Sequence, residues 1–170
     1  MKRTIRPIRV SGKVAFVTLT KGYTAIIDAA DVHLVEGWNW HAVIGRNTVY
    51  AKRRERIDGG AWRTILLHRI IMAPPDDMQV DHRSGDGLDC RRANMRQATN
   101  SQNQHNQRLK CTNTSGLKGV SWDMGSQKWR AKIKIDGKQI YLGLFTSPES
   151  AHAAYAEASS RLHGDYGRLV

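Results

Sequence analysis

The stretch VDHRSGDGLDCRRANMRQATNSQNQHN, residues 80–106, decides how the whole chain is interpreted. It follows a turn-forming Pro-Pro pair and contains many Asn, Asp and His side chains but few apolar ones. Because little of it can be buried, loop and polar helix are predicted for residues 74–110. Four of its polar residues are either ordinary loop residues or the parts of one metal site: Asp81, His82, Asn94 and Asn103.

The overall composition indicates the class of partner. The chain of 170 residues suffices for one moderate domain or two small ones, and 40% hydrophobic residues is normal for a globular protein. A formal net charge of +12 and a pI near 10.2 are unusual and predict a polyanionic partner, with nucleic acid as the leading candidate. A generally basic protein without such a partner is the alternative.

Cysteine usage and apolar runs indicate the compartment. Cys90 and Cys111 lie 21 residues apart without a Cys-x-x-Cys pair, which fits neither a disulfide framework nor a zinc ribbon and favours a reducing cytosol. The N-terminus has no apolar signal-peptide core, and no apolar run approaches a membrane span. We therefore expect a cytoplasmic protein that does not contact a membrane.

Residues 1–73 are predicted to form short strands joined by turns. The β-branched segments KVAFVTL and TAIID flank the turn-forming Lys21-Gly22 pair, and DVHLVEGWNW is predicted to contain a short helix with Asp31 as its N-cap. TVYAKRRER and WRTILLHRIIM are predicted to pair as strands across the hairpin signal at residues 57–60.

That hairpin carries a basic tip and one internal histidine. Its cations face either a phosphate backbone or solvent: Lys52, Arg53, Arg54 and Arg56. His68 lies in the apolar segment LLHRIIM, so we expect a structural histidine on a strand rather than a catalytic group.

The C-terminal third has the clearest local signals. The turn-forming segment KCTNTSG contains the predicted linker, residues 111–116, between a domain at 1–110 and a domain at 117–170. LKGVSW, KWRAKIKI and KQIYLGLF are predicted to be three antiparallel strands, the last two joined at Asp136-Gly137. Ser147 is predicted to cap a helix that begins at Pro148 and ends at Gly164.

The middle strand of this domain alternates with period two. Its apolar residues are predicted to face the helix: Trp129, Ala131, Ile133 and Ile135. Its cations are predicted to share the other face with two residues of the third strand: Lys128, Arg130, Lys132 and Lys134, with Gln139 and Tyr141. A solvated charged face is the alternative, but four like charges without an acidic residue between them favour DNA binding in the major groove, with Arg130 among the contacts.

Residues 116–169 resemble the AP2 DNA-binding domain. The segments KGVSW, KWRAKIKI, YLGLF and AHAAYAEA followed by HG occur in the order and spacing of that family. The resemblance implies a sheet face in the major groove of double-stranded DNA, with the contact residues Lys118, Lys132, Lys134, Gln139 and Tyr141. Lys118, Ser121 and Gln139 stand where plant members often have arginine, so the base preference does not carry over.

Residues 67–106 resemble the HNH endonucleases of phages and mobile introns. The segments LHR, VDH, LDCRRANMR and SQNQHN occur in the order of that family, with Cys90 where asparagine is frequent and Met95 in place of leucine. Together the two resemblances imply an α+β fold. N-terminal β-hairpins would lead into a ββα-metal nuclease core, followed by an AP2-like three-stranded antiparallel sheet packed on one helix.

Phosphodiester hydrolysis explains why these residue types are needed. Histidine side chains ordinarily titrate near neutrality, so His82 suits a general base for the attacking water. Asp81 and Asn103 offer the hard oxygen ligands that suit Mg²⁺, or Mn²⁺ as a substitute. By the resemblance, Asn94 structures the loop and orients His82, although a purely local loop role is the alternative. His105 and Asn106 are rivals of Asn103 for the ligand position.

The function predicted from the sequence is therefore a Mg²⁺-dependent, site-directed DNA endonuclease of the HNH homing type. A monomer would nick DNA, a homodimer would cut both strands, and no other protein partner is predicted. The main alternative is a DNA-binding regulator that does not cleave. An RNA-binding module is a weaker alternative, because the C-terminal sheet lacks the paired stacking aromatics of such platforms.

Overall fold

The protein has an α+β fold with several small antiparallel sheets and few helices. The computed structural model describes residues 4–45, 48–109 and 112–169. Two units are present, Met1–Ala98 and Thr99–Val170. The division at residue 110 and the linker at 111–116 stay predictions, and Lys110 and Cys111 lie outside the described residues.

The first unit contains three small sheets and two short helices. Its elements are β1 (Ile8–Ser11), β2 (Val14–Thr18), β3 (Thr24–Asp28), α1 (Val32–Val35), β4 (His41–Ile44), β5 (Val49–Arg56), β6 (Trp62–Leu66), α2 (Leu67–Met72), β7 (Gln79–His82) and β8 (Met95–Ala98). The strands pair as β1-β2-β3, β4-β5-β6 and β7-β8, all antiparallel. The predicted hairpins at the Lys21-Gly22 turn and across residues 57–60 are therefore confirmed.

One hydrophobic core joins the elements of the first unit. Its largest fully buried side chains include Trp40, Ile27 and Leu67, which come from three different parts of the sequence. Trp40 also donates its indole N–H to the Val35 carbonyl oxygen at 2.9 Å, which satisfies the polar atom of a buried aromatic residue. This core holds α2 and the β7-β8 hairpin against the first sheet.

Three details of the first unit differ from the prediction. Residues 79–82 and 95–98 form the strands β7 and β8, where loop and polar helix were predicted from the polar composition. The segment LLHRIIM is not a strand, since residues 67–72 form α2. Its apolar residues also fit the helical spacing, and a short apolar run does not distinguish the two periods. Asp31 stands at the N-cap of α1 but its side chain does not cap it, because the carboxylate instead accepts from Arg92 at 2.8 Å.

The second unit contains a short helix followed by three strands and a long helix. Its elements are α3 (Asn100–His105), β9 (Val120–Asp123), β10 (Lys128–Ile135), β11 (Lys138–Phe145) and α4 (Pro148–His163). The order β11-β10-β9 is antiparallel, as predicted. Asp136 and Gly137 both have positive φ, as a two-residue hairpin turn requires, and the Ser147 hydroxyl accepts from Ser150 N at the start of α4.

The apolar face of β10 packs on α4, which confirms the predicted alternation. Ala131 and Ile133 are buried, and Tyr155 and Ala158 of α4 pack against Ile133. Gly119 has φ +78, and a Cβ there would lie 2.0 Å from the Tyr155 ring, so this close approach of backbone and ring requires glycine. Of the helices in the described residues, none is long and apolar enough to cross a membrane.

Candidate active site

The residues predicted to be catalytic lie on the β7-β8 hairpin. Asp81 pairs with Arg96 and His82 pairs with Met95 in the antiparallel register. Because successive side chains of a strand point to opposite faces, Asp81 and His82 project to different sides of the hairpin. Both are buried, with 3% and 6% of their surfaces exposed.

Asp81 forms a buried ion pair. Arg96 Nε and Nη2 both lie 2.7 Å from Asp81 Oδ2, and the guanidinium is buried as well. Charged hydrogen bonds of this length are strong, and they fix the orientation of the carboxylate. Arg96 thus holds Asp81 in place and also neutralises it.

His82 lies in a cluster of rings. The His68 ring from α2 meets it edge-on at 5.1 Å between centroids, and the Tyr50 ring from β5 lies 6.0 Å away. Cys90 Sγ is 3.8 Å from His82 Nε2. Three separate segments therefore pack on the imidazole and fix its position.

Burial dominates the titration behaviour of this cluster. It lowers the pKa of His82 from its usual range, and the nearby carboxylates of Asp81, Asp86 and Asp89 only partly oppose this. Burial lowers the pKa of His68 to about 3, and repulsion from Arg69 and from the protonated form of His82 adds to this effect.

The pKa values of the neighbouring Tyr50 hydroxyl and Cys90 thiol are raised, whereas those of the two histidines are lowered. Burial and the charge of Asp81 raise the pKa of Tyr50. Burial, with the charges of Asp89 and Asp86, raises the pKa of Cys90 to about 12. At neutral pH the cluster therefore contains a protonated thiol, a protonated phenol and two neutral imidazoles.

Asn94 holds the loop between β7 and β8. Its Oδ1 accepts from Ser84 N at 3.0 Å, its Nδ2 donates to the Asp89 carbonyl at 2.8 Å, and its own carbonyl accepts from Arg83 N. The amide thus closes the loop that follows His82 directly. Asp86 and Asp89 accept from backbone N–H groups of Leu88 and Arg91, so both carboxylates stabilise turns within this loop.

The same loop is anchored on the sheets of the first unit. Ile26 of β3 exchanges backbone hydrogen bonds with Leu88 and Cys90. Gly87 donates to Thr48 Oγ1, and a Cβ there would lie 2.6 Å from the Val49 carbonyl oxygen. The close approach of the loop to β5 therefore requires glycine at this position.

Asn103 lies on α3 in the second unit. The Thr99 and Gln102 side chains form a reciprocal capping box at the start of this helix, and Asn103 N donates to the Thr99 carbonyl. The two alternatives to Asn103 as a metal ligand, His105 and Asn106, are either packed on another ring or buried. The His105 ring stacks on His163 at 3.6 Å, and Asn106 is buried.

The predicted DNA contacts of β10 and β11 share one sheet face. Lys132 pairs with Tyr141 and Lys134 pairs with Gln139, so these four side chains lie together. Arg130 Nη1 donates to Asp123 Oδ1 at 2.9 Å, so an acidic residue of the neighbouring strand β9 partly offsets the charge of this basic face.

Lys118 lies before β9 rather than on the sheet. Its Nζ donates to the carbonyl oxygens of His105 and Gln107, each at 2.8 Å, at the C-terminal end of α3. Burial, aided by Arg168, lowers the pKa of Lys118 to about 8. Its head group is therefore used to hold α3, and a contact with DNA stays a prediction.

Metal binding at the candidate site depends on the donor chemistry of its side chains. In the part of the chain that the structure describes, no three His, Cys, Asp or Glu side chains form a group suited to a metal ion. Mg²⁺ does not need such a cage, because it commonly uses one or two carboxylates together with waters and substrate phosphates. The Asp81 carboxylate fits that pattern as a single anionic ligand.

Comparison with known proteins agrees with the geometry of the hairpin. Residues 66–105, which include α2, β7 and β8, match the family model described as HNH endonuclease. The resemblance to HNH endonucleases is thus confirmed for this segment, and it indicates a nuclease that binds DNA.

One relative comes from a phage. Protein 3.8 of Escherichia phage T7 is 37% identical over 65 residues, which are 38% of this chain and 54% of that protein. The chain therefore spans about half the length of the curated relative that it matches. No solved structure matches the chain.

Three residues of the site were not found from the sequence: Arg96, Tyr50 and Cys90. Arg96 had a usable signal, because opposite charges at facing positions of the VDH and MRQ strands would form a pair. Tyr50 lies more than thirty residues before His82, and only the packing of β5 on the hairpin brings the two rings together.

Proposed function

We propose that the protein is a divalent-metal-dependent DNA endonuclease of the HNH homing type. His82 acts as the general base, Asp81 and Asn103 supply metal ligands, and the face of β10 and β11 locates the DNA in the manner of an AP2 domain. The observation that carries the proposal is the buried Asp81-His82 pair on the hairpin within the HNH-matching segment.

The order of elements along the chain supports a ββα nuclease core. Two antiparallel strands, β7 and β8, are followed directly by the capped helix α3. Asp81 and His82 belong to the first strand and Asn103 to the helix, as the resemblance implies. Since Asp81 and His82 project to different sides of β7, the proposal requires the turn after His82 to let the metal and the water flank one phosphate. This assignment of the three roles is part of the proposal.

The chemistry begins with removal of a proton from water by His82. Its lowered pKa keeps the imidazole neutral at pH 7, so a ring nitrogen can accept the proton. The water oxygen then attacks phosphorus, the bond to the 3′ oxygen breaks, and the leaving oxygen takes a proton from a solvent molecule, which gives the 3′-hydroxyl and 5′-phosphate ends that the family implies. A bound Mg²⁺ would stabilise the charge on the phosphate and on the leaving oxygen.

Other residues of the chain position these groups. Arg96 orients the Asp81 carboxylate, and His68 and Tyr50 pack around His82. Asn94 closes the loop after His82, so it is a positioning residue rather than a proton donor or acceptor. One such site per chain gives a nick from a monomer and a double-strand break from a homodimer.

A plasmid relaxation assay tests the proposal. Supercoiled DNA with Mg²⁺ should be nicked by the protein, and His82→Ala and Asp81→Asn should each reduce nicking by at least about 100-fold. His33→Ala and Asp76→Asn are matched controls, since both residues are exposed and lie outside the hairpin. Nicking by His82→Ala at the rate of the controls would exclude the mechanism.

A non-cleaving DNA-binding regulator is the second candidate. The observation that favours it is the Arg96-Asp81 ion pair, because Arg96 already binds Oδ2 of the carboxylate that is proposed as a metal ligand. This function predicts a sequence-specific gel shift without metal-dependent strand loss. The relaxation assay therefore separates the two candidates.

A further inference from the structure

One face of the β4-β5-β6 sheet combines cations with an exposed aromatic ring. Residues directly paired in an antiparallel sheet share a face, as do alternate residues of one strand. His41 pairs with Lys52, Arg54 with Thr64, and Arg56 with Trp62. The face therefore carries the following polar and aromatic side chains: His41, Lys52, Arg54, Arg56 and Trp62.

The four cations that were predicted to form one basic tip lie on two different faces of the sheet. Lys52, Arg54 and Arg56 lie on the face described above, whereas Arg53 projects to the opposite one. The Arg53 guanidinium covers the Trp38 ring at 3.8 Å and donates to Glu55 Oε2 at 2.7 Å. Arg53 is therefore a support of Trp38, and the other three cations remain for an external anion.

Two tryptophans line an open cleft beside this face. The cleft has a volume of about 500 Å³ and includes Trp38, Trp62, Ile5 and Arg54 in its lining. Trp38 is 47% exposed and Trp62 is 63% exposed, which is unusual for the largest apolar side chain. None of the described residues that line the cleft is acidic.

The wall that carries Trp38 is held rigidly. Gly37 has φ +78, which sets the turn before Trp38. Asn39 Oδ1 accepts from Arg6 N and Asn39 Nδ2 donates to the Thr4 carbonyl, each at 2.9 Å. The N-terminal segment is thereby fixed to the side of the cleft, so the exposed ring is part of a formed surface.

We propose that this cleft binds an unpaired segment of DNA, with bases stacked on Trp38 and Trp62 and phosphates against Lys52, Arg54 and Arg56. Exposed aromatic rings next to a positive groove are the combination that recognises single-stranded nucleic acid. An apolar partner without anionic groups would leave the three cations without matching anions. The choice of DNA rests on the proposed function.

Strand β5 connects this surface with the candidate active site. Tyr50, whose ring lies next to His82, shares the parity of Arg54 and Arg56 on the same strand. The separation of four to six residues corresponds to roughly 13–20 Å along a strand, or about four to six nucleotides at the rise of B-form DNA. The unpaired bases are therefore expected about that far from the cleaved phosphate.

Binding of short oligonucleotides to the full chain tests the proposal without cleavage. Fluorescence anisotropy in EDTA would compare labelled oligo-dT with a duplex of equal length. Trp62→Ala and Trp38→Leu should weaken oligo-dT binding by about 5-fold or more and change duplex binding by less than about 2-fold. Trp122→Leu is the matched control, because that exposed tryptophan lies on β9.

A second measurement tests the phosphate contacts. Arg54→Ala should reduce the dependence of oligo-dT affinity on salt by about 0.7 in the log-log slope. Thermal unfolding of each variant would show that the first unit remains folded.

Three results would overturn the proposal. These are oligo-dT affinities of the tryptophan variants within about 2-fold of the control, an equal loss for duplex and single strand, or binding of oligo-rU at least about 10-fold tighter than oligo-dT. Because EDTA removes the metal, this outcome is independent of whether the protein cleaves DNA. If the nicking assay failed, the binding results would still establish the stacking site, because they do not depend on cleavage.

Discussion

Acidification should destabilise the first unit through His68. The buried imidazole has a pKa of about 3 in the folded protein, against about 6.5 in an unfolded chain. Above pH 6.5 neither state binds the proton, so the full stability is present. As the pH falls from 6.5 towards 3, only the unfolded state gains the proton, and stability is progressively lost.

The expected magnitude follows from the two pKa values. Between about pH 7 and pH 5 the unfolded state gains roughly 2 kcal/mol of proton-binding free energy at this one residue. The His82 imidazole, which faces His68, adds a loss of the same sign, because its pKa is also lowered. Replacing His68 by phenylalanine retains an aromatic ring of similar size and removes only the contribution of His68.

Urea unfolding of the wild type and His68→Phe at the two pH values is the assay. The NMR signal of the Trp40 indole N–H reports the unfolding of the first unit, because this group is buried and donates to the Val35 carbonyl oxygen. The variant should lose about 2 kcal/mol less stability on acidification than the wild type. An equal loss in both proteins would show that His68 is not a buried neutral histidine, and His68→Leu would check that packing of the phenyl ring does not cause the result.

Three further perturbations have expected outcomes. Arg96→Met should destabilise the first unit by about 3–5 kcal/mol, because it removes the charged partner that Arg96 provides to the buried Asp81 carboxylate. Mn²⁺ should raise the melting temperature of this variant more than that of the wild type, and no metal-dependent shift would contradict Asp81 as a ligand. Gly87→Ala should slow DNA nicking by at least about 10-fold while the protein remains folded, since its Cβ would displace the loop beside His82; an unchanged rate would contradict the tight approach. Lys132→Ala and Lys134→Ala should each lower the salt dependence of duplex binding by about one unit of slope, and an unchanged slope would exclude phosphate contacts at that residue.

The elements of the second unit were predictable because their signals are local. Strict alternation over KWRAKIKI, the Asp136-Gly137 turn and the Ser147-Pro148 helix start each act within a few residues. These signals agree with one another, so three strands and a helix follow with few alternatives. In LLHRIIM the local signals conflict, because Leu67, Ile70 and Ile71 fit a helix as well as a strand, and tertiary packing decides for α2.

The candidate site was predictable only in part. The Asp81-His82 pair stands out because a polar pair follows the apolar Val80 in an HNH-like order. The contacts that control these residues depend on distant segments. Tyr50 comes from β5 and His68 from α2, and Asp31 pairs with Arg92 about sixty residues away rather than capping its own helix. No local pattern reports such pairings, because they arise when the sheets pack.

The rate of a single turnover on prebound DNA tests the role of His82 most directly. The protein would be saturated with duplex DNA in EDTA, cleavage would be started with excess Mg²⁺, and the wild type would be compared with His82→Ala. We expect the variant to bind DNA within about 2-fold of the wild type but to cleave it at least about 100-fold more slowly. Equal cleavage rates at saturation would contradict the assignment of His82 as the base that activates water.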